Sequence, residues 1–323
     1  MMKFGGSMVA LVTPFRDGEI DEAALARLID LHVERGTSGL VPCGTTGESA
    51  TLSHEEHDRV IELTVQAARG RIPVIAGTGS NNTREAVRLT RHAKVAGADA
   101  ALLISPYYNK PTQRGLYLHF KAVAEAVDLP IVIYNIASRT AVNIEPETFA
   151  QLTAVKNIVA VKESSGSLEQ MSRILHATQG RLTLLSGDDA LTLPVLAIGG
   201  TGVISVAANL VPRDTAAMVR AFQAGRQAEA LDWHRKLLPL IRALFLETNP
   251  IPVKTALGLL GMCSPELRLP LCEMSDANLL RLKTALEEYG LSKEGRQPSA
   301  LSHQQLLNRR KRSGAKSQKQ QRV

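Results

Sequence analysis

The sequence predicts an α/β protein built as a (β/α)₈ barrel of the TIM-barrel class, followed by a small C-terminal helical domain and a basic tail. Eight short runs rich in Val, Ile and Leu recur, and each is followed by a longer segment with helical spacing. The runs are apolar throughout rather than alternating, which is typical of parallel strands buried on both faces. Aromatic residues are only 4% of the chain, so the core must consist mainly of aliphatic side chains.

The predicted strands are, in chain order, 7–12, 39–43, 73–76, 100–104, 131–135, 158–162, 182–186 and 202–206. The helices predicted between and after them are 21–35, 53–69, 83–97, 114–127, 145–154, 167–178, 188–199 and 212–223. Several begin at recognisable caps, such as Ser53 before Glu55 and Glu56. A doubly wound sheet is the alternative, but no Gly-x-Gly-x-x-Gly follows the first strand.

Strand patterns stop after residue 223, which divides the chain into three parts. Residues 1–223 are the predicted barrel domain, and 224–291 form a helical domain with helices at 225–247, 250–261 and 276–289. Residues 292–323 are rich in Gln, Ser, Lys and Arg, which predicts a basic, disordered tail.

The net charge of +7 does not indicate a nucleic-acid-binding surface on the barrel. Nine of the 38 Lys and Arg residues, but only one of the 31 acidic residues, lie between Lys293 and Val323. The rest of the chain is therefore almost neutral. The tail has no aromatic residues among its basic ones, so the sequence argues against a nucleic-acid partner.

The sequence also predicts a soluble cytoplasmic protein. Its three cysteines, Cys43, Cys263 and Cys272, lack CxxC spacing and are expected to be reduced thiols. No run of about 18 apolar residues indicates a membrane span, and the N-terminal apolar run is too short for a signal peptide.

A Gly44-Thr45-Thr46-Gly47-Glu48 motif follows the second predicted strand, at the end where barrel enzymes carry their chemistry. Two glycines around two hydroxyls allow backbone N–H groups and threonine side chains to bind a small carboxylate. The alternative is a tight loop with capping threonines.

Two neighbouring strands end in residues suited to Schiff-base chemistry, Tyr134 and Lys162. Counting by twos places Ile158, Ala160 and Lys162 on one strand face, and Val132 with Tyr134 on one face of the neighbouring strand. If these are the inward faces, the amine and the phenol meet in the barrel mouth. An amine in an apolar barrel loses solvation, which favours its neutral nucleophilic form, and a phenol beside it can move protons. The alternative is that Lys162 extends from the strand end into solvent.

These residues belong to a set of motifs that resembles one family. In chain order the set is Gly44-Thr45-Thr46-Gly47-Glu48, Tyr107-Tyr108-Asn109, Tyr134-Asn135 with Arg139-Thr140, Lys162-Glu163 and Gly187-Asp188-Asp189. From about Lys3 to Leu291 the chain is similar to the pyruvate-dependent class I aldolases and lyases, and within them to the dihydrodipicolinate synthase family. The resemblance implies condensation of pyruvate with L-aspartate-4-semialdehyde, the first committed step of diaminopimelate and lysine biosynthesis. It implies no metal or organic cofactor, since the lysine serves as the electron sink.

The resemblance gives four residues catalytic roles. Lys162 is expected to form an imine with pyruvate, and Tyr134 to act as general acid and base. Its proton is expected to pass through Thr45 to Tyr108 of a neighbouring subunit. A tyrosine that acts across an interface implies a homo-oligomer, which the family resemblance makes a tetramer of two dimers.

Substrate binding is expected to involve four further positions. Thr46 is expected to bind the pyruvate carboxylate and Arg139 the carboxylate of the semialdehyde, while Gly187 and Ile204 line the pocket through backbone groups. N-acetylneuraminate lyases and keto-deoxy-sugar aldolases of the same superfamily are the alternative. Arg139 favours the semialdehyde, because a guanidinium pairs with a carboxylate and not with a hydroxyl chain.

One position departs from the family pattern. Where the family reads Tyr-Asn-x-Pro, this sequence has Tyr134-Asn135-Ile136-Ala137, so the loop that carries Arg139 is expected to be freer.

A second set of residues resembles the site at which lysine-sensitive members of the family bind L-lysine as an inhibitor. The set consists of Ser49, Ala50, His54, His57, Asn81, Glu85 and Tyr107. Glu85 is expected to pair with the ammonium group of the effector, and Tyr107 and Asn81 to bind its carboxylate. His54 and His57 could also be metal ligands, but no third ligand follows at a suitable spacing.

Overall fold

A closed parallel β-barrel forms the centre of the computed structural model, which describes residues 4–291. Its strands are β1 Gly6–Ala10, β2 Gly39–Val41, β3 Ile75–Gly77, β4 Ala100–Ile104, β5 Ile131–Asn135, β6 Ile158–Glu163, β7 Thr183–Ser186 and β8 Gly202–Ser205. They pair in the order β2-β1-β8-β7-β6-β5-β4-β3. A parallel bridge between Leu40 and Val74 then joins β2 to β3 and closes the barrel. The predicted (β/α)₈ fold is confirmed.

Helices surround this barrel and continue beyond it. The first group is α1 Glu22–Glu34, α2 His54–Ala68, α3 Thr83–Ala96, α4 Gln113–Ala126, α5 Pro146–Leu152, α6 Leu168–Thr178, α7 Thr192–Ala197 and α8 Pro212–Gln223. The C-terminal group is α9 Gln227–Ala243, α10 Ile251–Leu259 and α11 Asp276–Tyr289. Short helical turns lie in the loops at Ser49–Thr51, Ala137–Thr140, Asp189–Leu191 and Ala207–Asn209.

The C-terminal helices occur where the sequence predicts them, but the domain boundary at residue 223 stays a prediction. The predicted tail, 292–323, lies outside the described residues. Among the helices of residues 4–291, none combines the length and the apolar character needed to cross a membrane.

The barrel interior is filled by aliphatic side chains from most of the strands, and the candidate tyrosine packs with them. The cluster consists of Phe4, Met8, Ala10, Val41, Ile75, Ala100, Leu102, Val132, Tyr134, Ala160, Leu185 and Ile204. A larger apolar cluster lies between one side of the barrel and its helices. Each strand therefore buries both faces, as its continuous hydrophobicity predicts.

The expected position of Ile158 on the inner face of β6 is wrong. The register shifts between β5 and β6, so that Ile131 pairs with Ile158 but Val132 pairs with Ala160. This irregularity puts Ile158 in the outer cluster and lets Val159 pack against the inner one. Beyond the bulge, Lys162 keeps the inward position that alternation predicts.

A short hairpin after β1 was not indicated by the sequence pattern. Phe15–Arg16 pairs with Glu19–Ile20 in antiparallel orientation. Asp17 and Gly18 form its turn with φ of 53° and 86°, the left-handed conformation that tight hairpin turns require. The hairpin buries the ring of Phe15 completely.

Two buried histidines link the stability of this fold to pH. His32 of α1 lies with Nδ1 3.0 Å from Thr37 Oγ1, and His119 of α4 lies with Nδ1 2.9 Å from Thr83 Oγ1. Burial lowers the pKa of each imidazole to about 4. Both side chains are therefore neutral in the folded protein at pH values where an exposed histidine is protonated.

We expect the free energy of unfolding to fall between about pH 6.5 and about pH 4, because the unfolded chain takes up protons that the fold excludes. At about pH 5 the loss should be about 1–2 kcal/mol for each histidine. Urea unfolding at about pH 7.5 and about pH 5 measures it. Between these two pH values, His119→Gln should lose less unfolding free energy than the native chain. His176→Gln, at an exposed position, should lose as much as the native chain. An equal loss in His119→Gln would contradict this explanation.

Candidate active site

Tyr134 and Lys162 meet inside the carboxyl end of the barrel. The two residues are direct partners in the parallel pairing of β5 with β6, so their side chains point to the same face. Each is only 6% exposed. The Lys162 Nζ lies 4.0 Å from the centroid of the Tyr134 ring. An amine and a phenol are thus held side by side in an apolar setting.

Gly187, the residue after β7, packs against the side chain of Lys162. A Cβ added there would lie 2.9 Å from Lys162 Cε and 3.0 Å from its Cγ, and would collide with the Ser164 hydroxyl. A larger residue would therefore displace the lysine. Ile204 of β8 is 1% exposed and belongs to the inner cluster with Tyr134.

The Gly44–Glu48 loop after β2 is folded by its own backbone. Gly47 N donates to Gly44 O at 3.1 Å, and Glu48 N donates to Thr45 O at 3.1 Å. Thr46 Oγ1 accepts a hydrogen bond of 2.9 Å from Asn249 Nδ2. Because that oxygen accepts from the amide, the hydroxyl proton of Thr46 is free to be donated to an anion.

Arg139 lies in the helical turn Ala137–Thr140 that follows β5. Its Nη2 donates to the backbone oxygen of Asn249 at 3.1 Å. Ala137 is the first residue of this turn, a position that proline also suits, so the departure from the family pattern leaves the turn intact. A guanidinium held this way can pair with a carboxylate.

One cavity of about 520 Å³ extends from the barrel mouth to the predicted effector site, and Lys162, Thr46, Gly187 and Ile204 are not among the residues that line it. Thr45, Tyr134 and Arg139 line it on the catalytic side. Six of the seven effector candidates line it as well: Ser49, Ala50, His54, His57, Glu85 and Tyr107. Within residues 4–291, no three His, Cys, Asp or Glu side chains are grouped so that they could hold a metal ion.

The effector candidates already bond to one another. His54 Nε2 lies 2.8 Å from Glu85 Oε1, and Ser80 Oγ donates to the second carboxylate oxygen. These hydrogen bonds hold the pKa of Glu85 below its usual range. Asn81, the seventh candidate, donates to the backbone oxygen of Tyr107 at 3.2 Å. An incoming ammonium would therefore have to share Glu85 with His54.

His57 differs from the other effector candidates because it is buried. Its Nε2 lies 2.9 Å from the backbone oxygen of Gly77. Burial lowers the pKa of this imidazole, which keeps it neutral and leaves Nε2–H as the donor to that oxygen.

Tyr108 is the one catalytic candidate that the single chain does not bring to the site. Its side chain is 89% exposed and its φ is 71°, an uncommon value for a non-glycine residue. It is not among the residues that line the cavity.

The chain is similar to known proteins over nearly all of its barrel and C-terminal helices. The profile of the Dihydrodipicolinate synthetase family matches residues 3–289. The 4-hydroxy-tetrahydrodipicolinate synthase of Syntrophus aciditrophicus is 58% identical over 288 residues, which cover 89% of this chain and 99% of that protein. The chain belongs to the dihydrodipicolinate synthetase family. Its activity is therefore that of a 4-hydroxy-tetrahydrodipicolinate synthase, a lyase of lysine biosynthesis.

Solved structures of dihydrodipicolinate synthases share the fold. The Aquifex aeolicus enzyme superposes with a TM-score of 0.89 at 54% identity, covering 90% of this chain and all of that one. The Acinetobacter baumannii enzyme, a complex with pyruvate, is 43% identical with a TM-score of 0.88 and covers 90% of this chain and 100% of that one. The Cyanidioschyzon merolae enzyme, with lysine bound, is 42% identical with a TM-score of 0.86 and covers 89% and 99%.

The structure of this dihydrodipicolinate synthetase family member also shows site residues that sequence reasoning missed. Asn249, from the loop before α10, contacts both Thr46 and Arg139. Lys254 of α10 donates to Glu48 Oε1 at 2.6 Å, and both side chains are fully buried. The sequence does contain one signal for this ion pair: Lys254 interrupts the largely apolar run Ile251–Leu260, and a buried lysine needs an acidic partner.

Proposed function

We propose that Lys162 is the nucleophile of this synthase and that it forms a Schiff base with pyruvate. The observation that carries the proposal is the buried amine 4.0 Å from the Tyr134 ring at the barrel mouth. The Acinetobacter baumannii relative, solved as a complex with pyruvate, supports the same first substrate. Thr46, with its free hydroxyl proton, is our candidate to bind the pyruvate carboxylate.

The first stage moves two protons to the departing oxygen, one from the attacking amine and one from Tyr134. The lysine amine adds to the ketone carbon, and the resulting hydroxyl leaves as water when Tyr134 protonates it. Thr45 lines the same cavity and can return the proton to Tyr134. Loss of a methyl proton then converts the imine to an enamine.

The second stage joins the two substrates. The enamine carbon attacks the aldehyde carbon of L-aspartate-4-semialdehyde, and the aldehyde oxygen becomes a hydroxyl. The substrate amine then attacks the imine carbon and displaces Lys162, which closes the ring and restores the free lysine. Arg139, on the cavity wall, is our candidate to bind the semialdehyde carboxylate.

We further propose that the active form is a homo-oligomer, a tetramer made of two dimers. Tyr108 supports this, because its side chain is 89% exposed in the single chain and is therefore free to enter the relay of a second copy, as the family resemblance implies. A cytoplasmic location is proposed as well. The free cysteines Cys43, Cys263 and Cys272 fit a reducing compartment.

L-Lysine is the proposed feedback inhibitor. The support is the group of six effector candidates on one cavity wall, together with the lysine-bound structure of the Cyanidioschyzon merolae relative. Because the catalytic and effector candidates share this cavity, a bound amino acid could alter the positions of Tyr107 and its neighbour Tyr108.

Treatment with pyruvate and borohydride should attach pyruvate covalently to Lys162, because reduction fixes an imine. Lys162→Ala should lower the rate of condensation by at least about a thousandfold. Peptide mapping by mass spectrometry identifies the labelled residue, and Lys156→Ala is the control. A label on another lysine, or a normal rate in Lys162→Ala, would disprove the nucleophile.

Arg139→Ala should impair use of the semialdehyde far more than imine formation with pyruvate. Arg139 is exposed in the free protein, so loss of its hydrogen bonds to a charged group should cost about 1.5–3 kcal/mol of binding. Steady-state kinetics with each substrate varied, together with borohydride trapping, separates the two steps. Arg173→Ala removes an exposed arginine paired with Glu147 and should change neither. Equal damage to both steps would make Arg139 structural.

L-Lysine titrated at fixed pyruvate should inhibit condensation. Glu85→Ala should raise the half-inhibitory concentration about tenfold, because the ammonium loses its charge-assisted acceptor. Glu125→Ala, which removes an exposed carboxylate 3.5 Å from Lys121 Nζ, should leave inhibition unchanged. Unaltered inhibition in Glu85→Ala would remove this residue from the effector site.

A further inference from the structure

A fully buried ion pair joins the loop after β2 to the C-terminal helices. Glu48 ends the Gly44–Glu48 loop, and its Oε1 accepts from Lys254 Nζ at 2.6 Å. Neither side chain has any exposed surface. Their positions differ by 206 in the sequence, so only the packing of α10 against the barrel brings them together.

Each charge has further partners. Glu48 Oε2 accepts from the backbone N of Arg268 at 3.2 Å. The ring of Phe15, delivered by the hairpin after β1, lies with its centroid 4.2 Å from Lys254 Nζ and 4.3 Å from Arg268 Cζ. The arrangement is thus fixed from three separate parts of the chain. A buried pair of this kind adds little net stability, because both charges lose their hydration.

The pair acts on the backbone that carries Thr45 and Thr46. Glu48 has a φ of 53°, and its N–H donates to Thr45 O, so its backbone closes the turn around the two threonines. At the other side of the loop, Thr13 Oγ1 donates to Gly47 O at 2.7 Å. A shift of the Glu48 carboxylate would therefore move the threonine hydroxyls.

We propose that Lys254 and Glu48 are positioning residues for pyruvate, which hold the Gly44–Glu48 loop in the shape that binds the substrate carboxylate. The inference rests on the proposed role of Thr46. Lys254 lies outside the lining of the cavity, whereas Glu48 is part of it although its side chain is fully buried. The pair thereby couples the α10 helix to substrate affinity, beyond any part it has in joining the helices to the barrel.

The test compares variants of the full chain by the pyruvate concentration that gives half-maximal borohydride trapping at Lys162. Lys254→Met leaves Glu48 without its counter-charge, whereas Lys254→Met combined with Glu48→Gln leaves no buried charge at this site. Glu48→Asp keeps both charges on a shorter side chain. Lys236→Met removes an exposed amine paired with Asp214 and serves as the matched control.

We expect the half-saturating concentration to rise about tenfold in all three site variants, with the trapping rate at saturating pyruvate changed by less than about twofold. In the double variant the half-saturating pyruvate concentration should stay raised, although the urea midpoint returns to the native value. If the pair served stability alone, both quantities would return to native values together. Lys236→Met should match the native chain.

Native half-saturation in any folded site variant would overturn the proposal, as would a failure of all three to fold. A native chain that gives no adduct at Lys162 would instead contradict the proposed function itself. The two failures are therefore distinguishable in one experiment.

Discussion

The parallel pairing of β5 with β6 places Tyr134 directly beside Lys162, and the chemistry of the molecule depends on that register. Closure of the barrel fixes the register, because every strand pairs with a neighbour on both sides. The strand ends then meet at one rim, where loops from β2, β5 and β7 add Thr46, Arg139 and Gly187. A single backbone constraint thus assembles residues that are far apart in the sequence.

Much of this arrangement could be predicted from the sequence, because strand burial and alternation are local patterns. They indicated the eight strands and the inward position of Lys162. Ile158 was misplaced, since nothing in the residues around it shows that the pairing with β5 shifts by one position. Asn249 and Lys254 were missed for another reason. Their partners Thr46 and Glu48 are about 200 residues away, and only tertiary packing brings each pair together.

The site combines two kinds of surroundings that serve different purposes. Lys162 and Tyr134 are each only 6% exposed, and Tyr134 packs among aliphatic side chains, where the lower polarity strengthens electrostatic interactions. On the cavity wall, His54 and Glu85 form a partly exposed pair 2.8 Å apart, and Asn81 bonds separately to the backbone oxygen of Tyr107. In the function proposed above, the buried pair carries the covalent chemistry and the partly exposed pair carries the reversible control.

The position of Lys254 in the chain has a consequence for how the protein is made. The last barrel strand ends at Ser205, but the partner of Glu48 is encoded almost fifty residues later. During synthesis, a nascent chain that has already formed every strand of the barrel still lacks both Lys254 and Arg268, the partners of the Glu48 carboxylate. The contacts that bury Glu48 can therefore form only after α10 has left the ribosome and docked, so the Gly44–Glu48 loop is the part of the barrel whose surroundings are completed last.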